Sequence, residues 1–387
     1  MHVCCLRETG LSNRLSCIIR ILALALILNS GPIGLASAAS TSGLVLTRIA
    51  QVDTGDAYDV RVDTGNQIAY VTCGYSGMRI FDISDPHSPT QVGYVPPSSG
   101  GYAHQLAVRE NLVFIADGYG GIKIVDVTNY SSPVVLGQYI GYYAWDVEVV
   151  GNTAFAANTH DNGLTIVNVT DSTAPSLLGS HTTVGGATDL ELVGDLAFVT
   201  TGYGGFTVFD VSDVSGPVQL AQYTGNPTAE DIGLGDLEIV GDLAFLSYYE
   251  SSFKILNISD ISSIEVISEF NETSSAFSVH VDVDRSLAFV CDLELGLLVL
   301  DIGTPSQPTE IARYFDGGKP NRVRVVDDLV YMTDQDNGFV ILEIGEDSGF
   351  TLGIEPLLLV IGAAVVLSLG WWMRKSRTTH HAVHQID

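Results

Sequence analysis

The sequence predicts an all-β fold: a seven-bladed β-propeller closed by its N-terminal strand, with one C-terminal transmembrane helix outside the ring. Three observations predict it. An apolar–aromatic–apolar triplet recurs seven times. Four short strand-like runs, separated by turn residues, fill each interval. The one strand missing from the last unit reappears at the start of the periodic region.

The triplets are Ala69-Tyr70-Val71, Val113-Phe114-Ile115, Ala154-Phe155-Ala156, Ala197-Phe198-Val199, Ala244-Phe245-Leu246, Ala288-Phe289-Val290 and Val330-Tyr331-Met332, with aromatics 44, 41, 43, 47, 44 and 42 residues apart. Periods of this length belong to solenoids, propellers and arrays. Strand one of each unit is short and apolar, as in Asp59-Val60-Arg61-Val62, and strand two carries the triplet. A turn glycine follows at Gly77, Gly121, Gly163, Gly205, Gly296 and Gly338, with Ser252 in the fifth unit. Strand three is the most regular, from Arg79-Ile80-Phe81-Asp82 to Val340-Ile341-Leu342-Glu343, and a Ser/Thr/Asp/Pro turn leads to strand four. Turn residues between β-branched runs give strands. Four antiparallel strands per repeat make a propeller blade, and the near-continuous apolar runs fit a sheet covered on both faces. No 3.6-residue periodicity competes.

The seventh unit stops after strand three, at Ile344. A fourth-strand pattern stands at Leu46-Thr47-Arg48-Ile49-Ala50-Gln51-Val52, where Ala50 matches the small residues Gly93, Gly137, Gly179, Ala221, Ser268 and Ala312. The N-terminal strand is therefore expected to complete the last blade, removing a sheet edge that otherwise needs protection.

The ends read differently. Residues 1–39 form a secretory leader: arginines, the apolar run 18–28, then small residues before a cut after Ala38 or Ala39. The propeller spans 44–344 and a juxtamembrane linker 345–356 follows. The uncharged run Leu357–Met373 is a spanning helix, with Trp371 and Trp372 at an interface and Arg374-Lys375 beyond it. Positive charge stays inside, so 374–387 is a cytoplasmic tail and the propeller faces out, at the cell surface.

Lys and Arg number 17 against 45 Asp and Glu, a net charge of -28, and residues 41–350 hold 42 acidic but 11 basic side chains. That balance excludes a nucleic-acid partner, which needs a cationic face. Cys73 and Cys291 fall in non-adjacent units and read as two separate buried thiols, although export permits a disulfide. Four N-x-S/T sequons, at Asn129, Asn168, Asn257 and Asn271, permit glycosylation.

The loops joining strands two and three share a face with those from strand four to the next strand one. They collect Tyr75, Tyr102, Tyr119, Tyr142, Tyr143, Trp145, Tyr203, Tyr248 and Tyr249 among glycines. Tyr on Gly/Ser loops gives contact area at low entropic cost. Packing of blade on blade would use the same tyrosines, and both readings stand. The ligand-binding expectation rests on Tyr75, Tyr119, Trp145 and Tyr203, together with Asp59, Asp146, Asp189 and Asp236 at the start of strand one. Gln105, Ser278 and Arg322 take that position in the other units. A ring of carboxylates suits a cation such as Ca²⁺ or a polar ligand. Alternatively each carboxylate accepts backbone N–H groups from a neighbouring blade, which repetition favours. Asp334-Gln335-Asp336-Asn337-Gly338 lacks the spacing of a calcium loop. No G-x-S-x-G or H-E-x-x-H occurs, so no catalytic residues and no cofactor are assigned. The expected partner is an extracellular protein or glycan; the alternatives are a polysaccharide hydrolase or lyase using channel carboxylates, and a structural envelope component.

The strand-three signature, best seen in Ile122-Lys123-Ile124-Val125-Asp126, resembles the LVIVD repeat of predicted propeller proteins in bacteria and archaea. The resemblance covers residues 44–344 and implies a β-propeller at the cell surface; it implies no particular activity.

Overall fold

The computed structural model describes residues 43–159, 163–201, 205–225, 235–248 and 252–346. The expected leader, the spanning helix, the tail, Tyr203 and Tyr249 lie outside the described residues.

Seven four-stranded antiparallel sheets form the molecule. Blades 1–6 are each built from four consecutive strands, over residues 59–95, 106–139, 144–181, 190–223, 237–270 and 276–314. Blade 7 takes Pro320–Val326, Leu329–Asp334 and Gly338–Glu346 from the end of the propeller and Leu44–Val52 from its start. The closing strand runs antiparallel to Gly338–Glu346, from Leu44 opposite Glu346 to Val52 opposite Phe339.

One apolar cluster fills each of the seven junctions between neighbouring blades. Blades 1 and 2, for example, share Tyr70, Met78, Ile80, Leu106, Val113 and Ile115. Blades 7 and 1 share Ala69, Val71, Phe81, Tyr331, Phe339 and Ile341, so the ring is shut by the same packing that builds it. The triplet aromatics are nearly all fully buried here, which explains their conservation of size along the chain.

Two local devices recur. In every blade the register between strand three and the outer strand shifts once, as between Ile80 and Phe81 or Val299 and Leu300, and blade 7 repeats this at Arg48/Ala50. A bulge bends the outer strand and adds twist. It also sets the small residue against the next blade: a Cβ on Gly93 would lie 2.0 Å from the Tyr130 carbonyl oxygen, and one on Gly137 2.4 Å from that of Ser172. Where Ser268 stands instead, its hydroxyl donates to the Pro305 carbonyl at 2.6 Å. The acidic or amide residue ending strand three is turn chemistry. Asp82, Asp126, Asn168, Asp210 and Asn257 each accept the N–H two residues on, at 2.8–3.0 Å. Glu343, after which no such turn is needed, breaks the pattern.

Candidate functional site

Strand one of every blade lines the axis, starting at the face that carries the glycine-tyrosine loops and ending at the opposite face. Three features lie along this path.

The first is an aromatic platform over blades 1–3. Gly74 and Gly77 flank Tyr75 with φ of 52° and 73°, and Gly118 and Gly121 bracket Tyr119 with φ of 55° and 68°. The left-handed backbone favours glycine, and space demands it: a Cβ on Gly74 would lie 2.7 Å from the Tyr102 ring, and one on Gly121 2.1 Å from the Tyr139 carbonyl oxygen. Isolated bridges Gly74–Ala103, Gly101–Gly118 and Gly118–Ala144 stitch these loops across blade boundaries. The result holds Tyr75 and Tyr119 outward, 77% and 69% exposed. Tyr75 stands edge-on to Tyr102 with centroids 4.5 Å apart, and Tyr119 edge-on to Tyr143 at 4.7 Å. Beneath them His104 stacks on Trp145 at 3.9 Å, its Nε2 lies 2.7 Å from the Tyr143 hydroxyl, and the Tyr102 hydroxyl donates to that of Tyr58 at 2.5 Å. Burial pushes His104 down to about 3 and Tyr143 up to about 12, so the platform is uncharged near neutrality. Tyr248, expected on this surface, is instead buried at the end of its strand.

The second feature is the aspartate ring. Asp59, Asp146, Asp189 and Asp236 come together as the repeat position requires, but all are buried. Each offers Oδ2 to an N–H of the following blade: Leu106, Leu190, Leu237 and Val279 donate at 3.1, 3.0, 3.0 and 2.9 Å. The positive charge at the centre is the chain's own Arg322. Its Nε lies 3.5 Å from Asp59 Oδ1 and its Nη2 3.2 Å from Asp189 Oδ1; Nη1 donates to Asp236 and Nη2 to Gln105. Burial opposes the Arg322 charge, but Asp236, Asp189, Asp59 and Asp146 outweigh it and hold the guanidinium charged. Burial, with Asp236 beside it, raises Asp189 well above the usual carboxylate range, and burial brings Asp146 to about 6. On the tyrosine side of the ring, Trp145, Phe277 and Thr188 border a void of about 20 Å³ beside Arg322 and Asp236. Among the described residues no group of three or more His, Cys, Asp or Glu is arranged to hold a metal ion.

The third feature is a cavity that the repeat pattern does not foreshadow. Beyond the ring, toward the face opposite the tyrosines, the channel widens into a cavity of about 920 Å³. Two residues after the aspartates come Glu148, Glu191 and Glu238, whose Oε2 atoms accept from Leu192, Ile239 and Val281 at 3.0, 2.7 and 3.0 Å. The same brace is thus repeated one layer down. Burial raises Glu148 to about 7 and Glu191 to about 8. Arg61 and Arg324 take this position in blades 1 and 7, and His280 in blade 6, its Nδ1 3.3 Å from Glu238 Oε2. The Asp-x-Glu repeats at 146–148, 189–191 and 236–238 are the sequence signal for this layer.

Cys73 and Cys291 are buried free thiols in blades 1 and 6. A family model described as the LVIVD repeat matches residues 54–96, 100–140, 141–183, 184–224, 280–316 and 317–353. These are blades 1–4, 6 and 7; blade 5, unmatched between them, is built the same way. No curated protein matches the chain.

Proposed function

The chain belongs to the LVIVD repeat family, and from that premise we propose that it is a membrane-anchored, cell-surface binding module that recognises an extracellular protein or glycan through the tyrosine platform. The observation carrying this reading is the pair of outward rings, Tyr75 and Tyr119, fixed by glycine loops and edge-on partners instead of being left mobile. Rigid aromatic surface binds with little ordering cost. Topology supports it too: strand three of blade 7 ends at Glu346 on the face opposite the platform. A leader at 1–39 and a spanning helix at 357–373 would therefore present the tyrosines away from the membrane.

In this reading the aspartate ring braces the blades and the tyrosines bind. Capture of extracellular proteins and glycans by the soluble propeller tests it. The Tyr75→Ala/Tyr119→Ala variant is expected to lose capture while keeping its melting temperature; unchanged capture overturns the assignment. The enzymatic alternative finds support in the raised Glu148 and Glu191 sharing one cavity. Each of those carboxylates already spends one oxygen on a backbone amide, which favours the brace. Polysaccharide cleavage lost in Glu191→Gln would reverse that preference.

A further inference from the structure

The cavity opposite the platform has two chemically different walls. Midway down strand one, Glu148, Glu191 and Glu238 come from blades 3, 4 and 5, whereas Arg61 and Arg324 come from blades 1 and 7; Asp63 and Glu110 also line the cavity, at the far end of strand one in blades 1 and 2. In a ring of seven, blade 4 faces the junction of blades 7 and 1, so the acidic and basic walls stand across the axis from one another.

These charges are incompletely satisfied from within the protein. The three glutamates line the cavity and commit Oε2 to backbone amides, and the Glu238 Oε2 also has His280 Nδ1 at 3.3 Å. Asp146, in the floor, is 2% exposed, and its Oδ1 has no hydrogen-bond partner. Arg322 lies within 4 Å of the other three aspartates of the ring and acts on this one from farther away. Across the axis, Arg324 donates Nη1 to the Val323 carbonyl at 3.1 Å, and Arg61 donates Nε to the Leu106 carbonyl with Asp59 3.8 Å from Nη1. A buried carboxylate oxygen without a donor is costly and is relieved by a cationic donor. The volume lies within the range of small-molecule sites and far exceeds one dehydrated ion.

We propose that this cavity binds a small basic zwitterion, an amino acid or dipeptide of lysine type, with its ammonium groups against Glu148, Glu191, Glu238 and the Asp146 oxygen and its carboxylate against Arg61 and Arg324. More acidic than basic groups line the space, so a ligand with two ammonium groups and one carboxylate matches it better than a neutral zwitterion. The inference goes beyond the proposed binding role and does not rest on the tyrosines.

Titration calorimetry of the whole protein with L-lysine, cadaverine and L-norleucine at pH 8.5, above the raised Glu148 and Glu191 so that both carry charge, tests it. Cadaverine lacks the carboxylate and norleucine the second ammonium, so each is expected to bind about tenfold more weakly than lysine, the effect of one lost charge-assisted hydrogen bond. Glu191→Gln keeps an acceptor for the Ile239 amide and is expected to weaken lysine about tenfold with the fold intact; Glu238→Gln is the second variant should that one unfold. Arg324→Gln is expected to remove the preference for lysine over cadaverine. Tyr75→Ala/Tyr119→Ala is expected to bind lysine unchanged, which separates this site from the platform. No heat with lysine up to about 10 mM, a range that still detects millimolar binding, overturns the proposal. So does equal binding of cadaverine, or lysine affinity unchanged in the glutamate variants.

Discussion

Replacing Arg322 with Met removes one positive charge from a site where three carboxylates depend on it. Arg322 is 5% exposed, and its guanidinium contacts Asp59 at 3.5 Å, Asp189 at 3.2 Å and Asp236 closer still. Methionine fills similar volume, so the loss is electrostatic. Breaking a buried ion pair from one side costs about 3–5 kcal/mol, because the remaining charge is left uncompensated. At ~2 °C per kcal/mol for a domain of this size, the melting temperature should fall by about 6–10 °C at pH 7.5. The loss should also depend on pH. Asp189 already has a raised folded-state pKa, so the folded protein binds its proton more tightly than the unfolded chain does. Without Arg322 this difference grows, and each extra proton bound stabilises the fold by up to about 1.4 kcal/mol per pH unit as the pH falls. Thermal melts of both proteins at pH 5.0, 6.5 and 8.0 should therefore show the deficit largest at pH 8.0 and smallest at pH 5.0. A deficit under about 1 °C at pH 8.0, well below the buried-pair cost, or one of equal size at every pH, would refute the counter-charge argument.

Glu148 and Glu191, raised by burial to about 7 and 8, make the wild-type propeller more stable as the pH falls from 8.5 to 6.5, and Glu191→Gln should flatten that slope in denaturant melts. Gly137→Val puts a side chain where a Cβ already meets the Ser172 carbonyl oxygen at 2.4 Å and should cost about 2 kcal/mol or more. Gly151→Ala, at φ 55° with nothing within 4 Å, should cost only about 1 kcal/mol. Deleting residues 43–52 uncovers the edge of Gly338–Glu346 and should give an aggregating protein, rescued when the Leu44–Val52 segment is supplied as a peptide; monomeric behaviour without it would contradict the closure. Cys73, its thiol raised to about 11 by burial, and Cys291 should resist a thiol reagent until the protein is unfolded.

The architecture was legible because each repeated feature answers a local demand. The triplet aromatics fill the junctions, the small residue at Ala50 or Gly93 admits the next blade, and the Asp or Asn ending strand three caps its turn. Such positions recur at a fixed period and can be counted. The backbone role of the aspartates followed from the same reasoning. What joins residues across the axis obeys no period. Arg322 meets Asp236, Asp189 and Gln105 over sequence separations of 86, 133 and 217 residues. Its position marked it as a member of the ring, but only its length and direction make it the hub. The burial of Tyr248 and the narrow void bordered by Trp145 and Phe277 likewise depend on how bulky side chains lean at the axis. The lower cavity had a sequence trace in the Asp-x-Glu strands, yet nothing there shows that the channel widens below them.

Blade 7 also decides how the molecule would bear mechanical load. Gly338–Glu346 is flanked on both sides, by Leu329–Asp334 and by Leu44–Val52, whereas among the described residues Leu44–Val52 is bonded on one side alone. A pull applied through Glu346 along its strand must shear two hydrogen-bonded ladders at once; the same pull at Leu44 shears one. A tether attached after Glu346 thus grips the wheel at its more strongly held rim, and tension would dislodge the opposite chain end first.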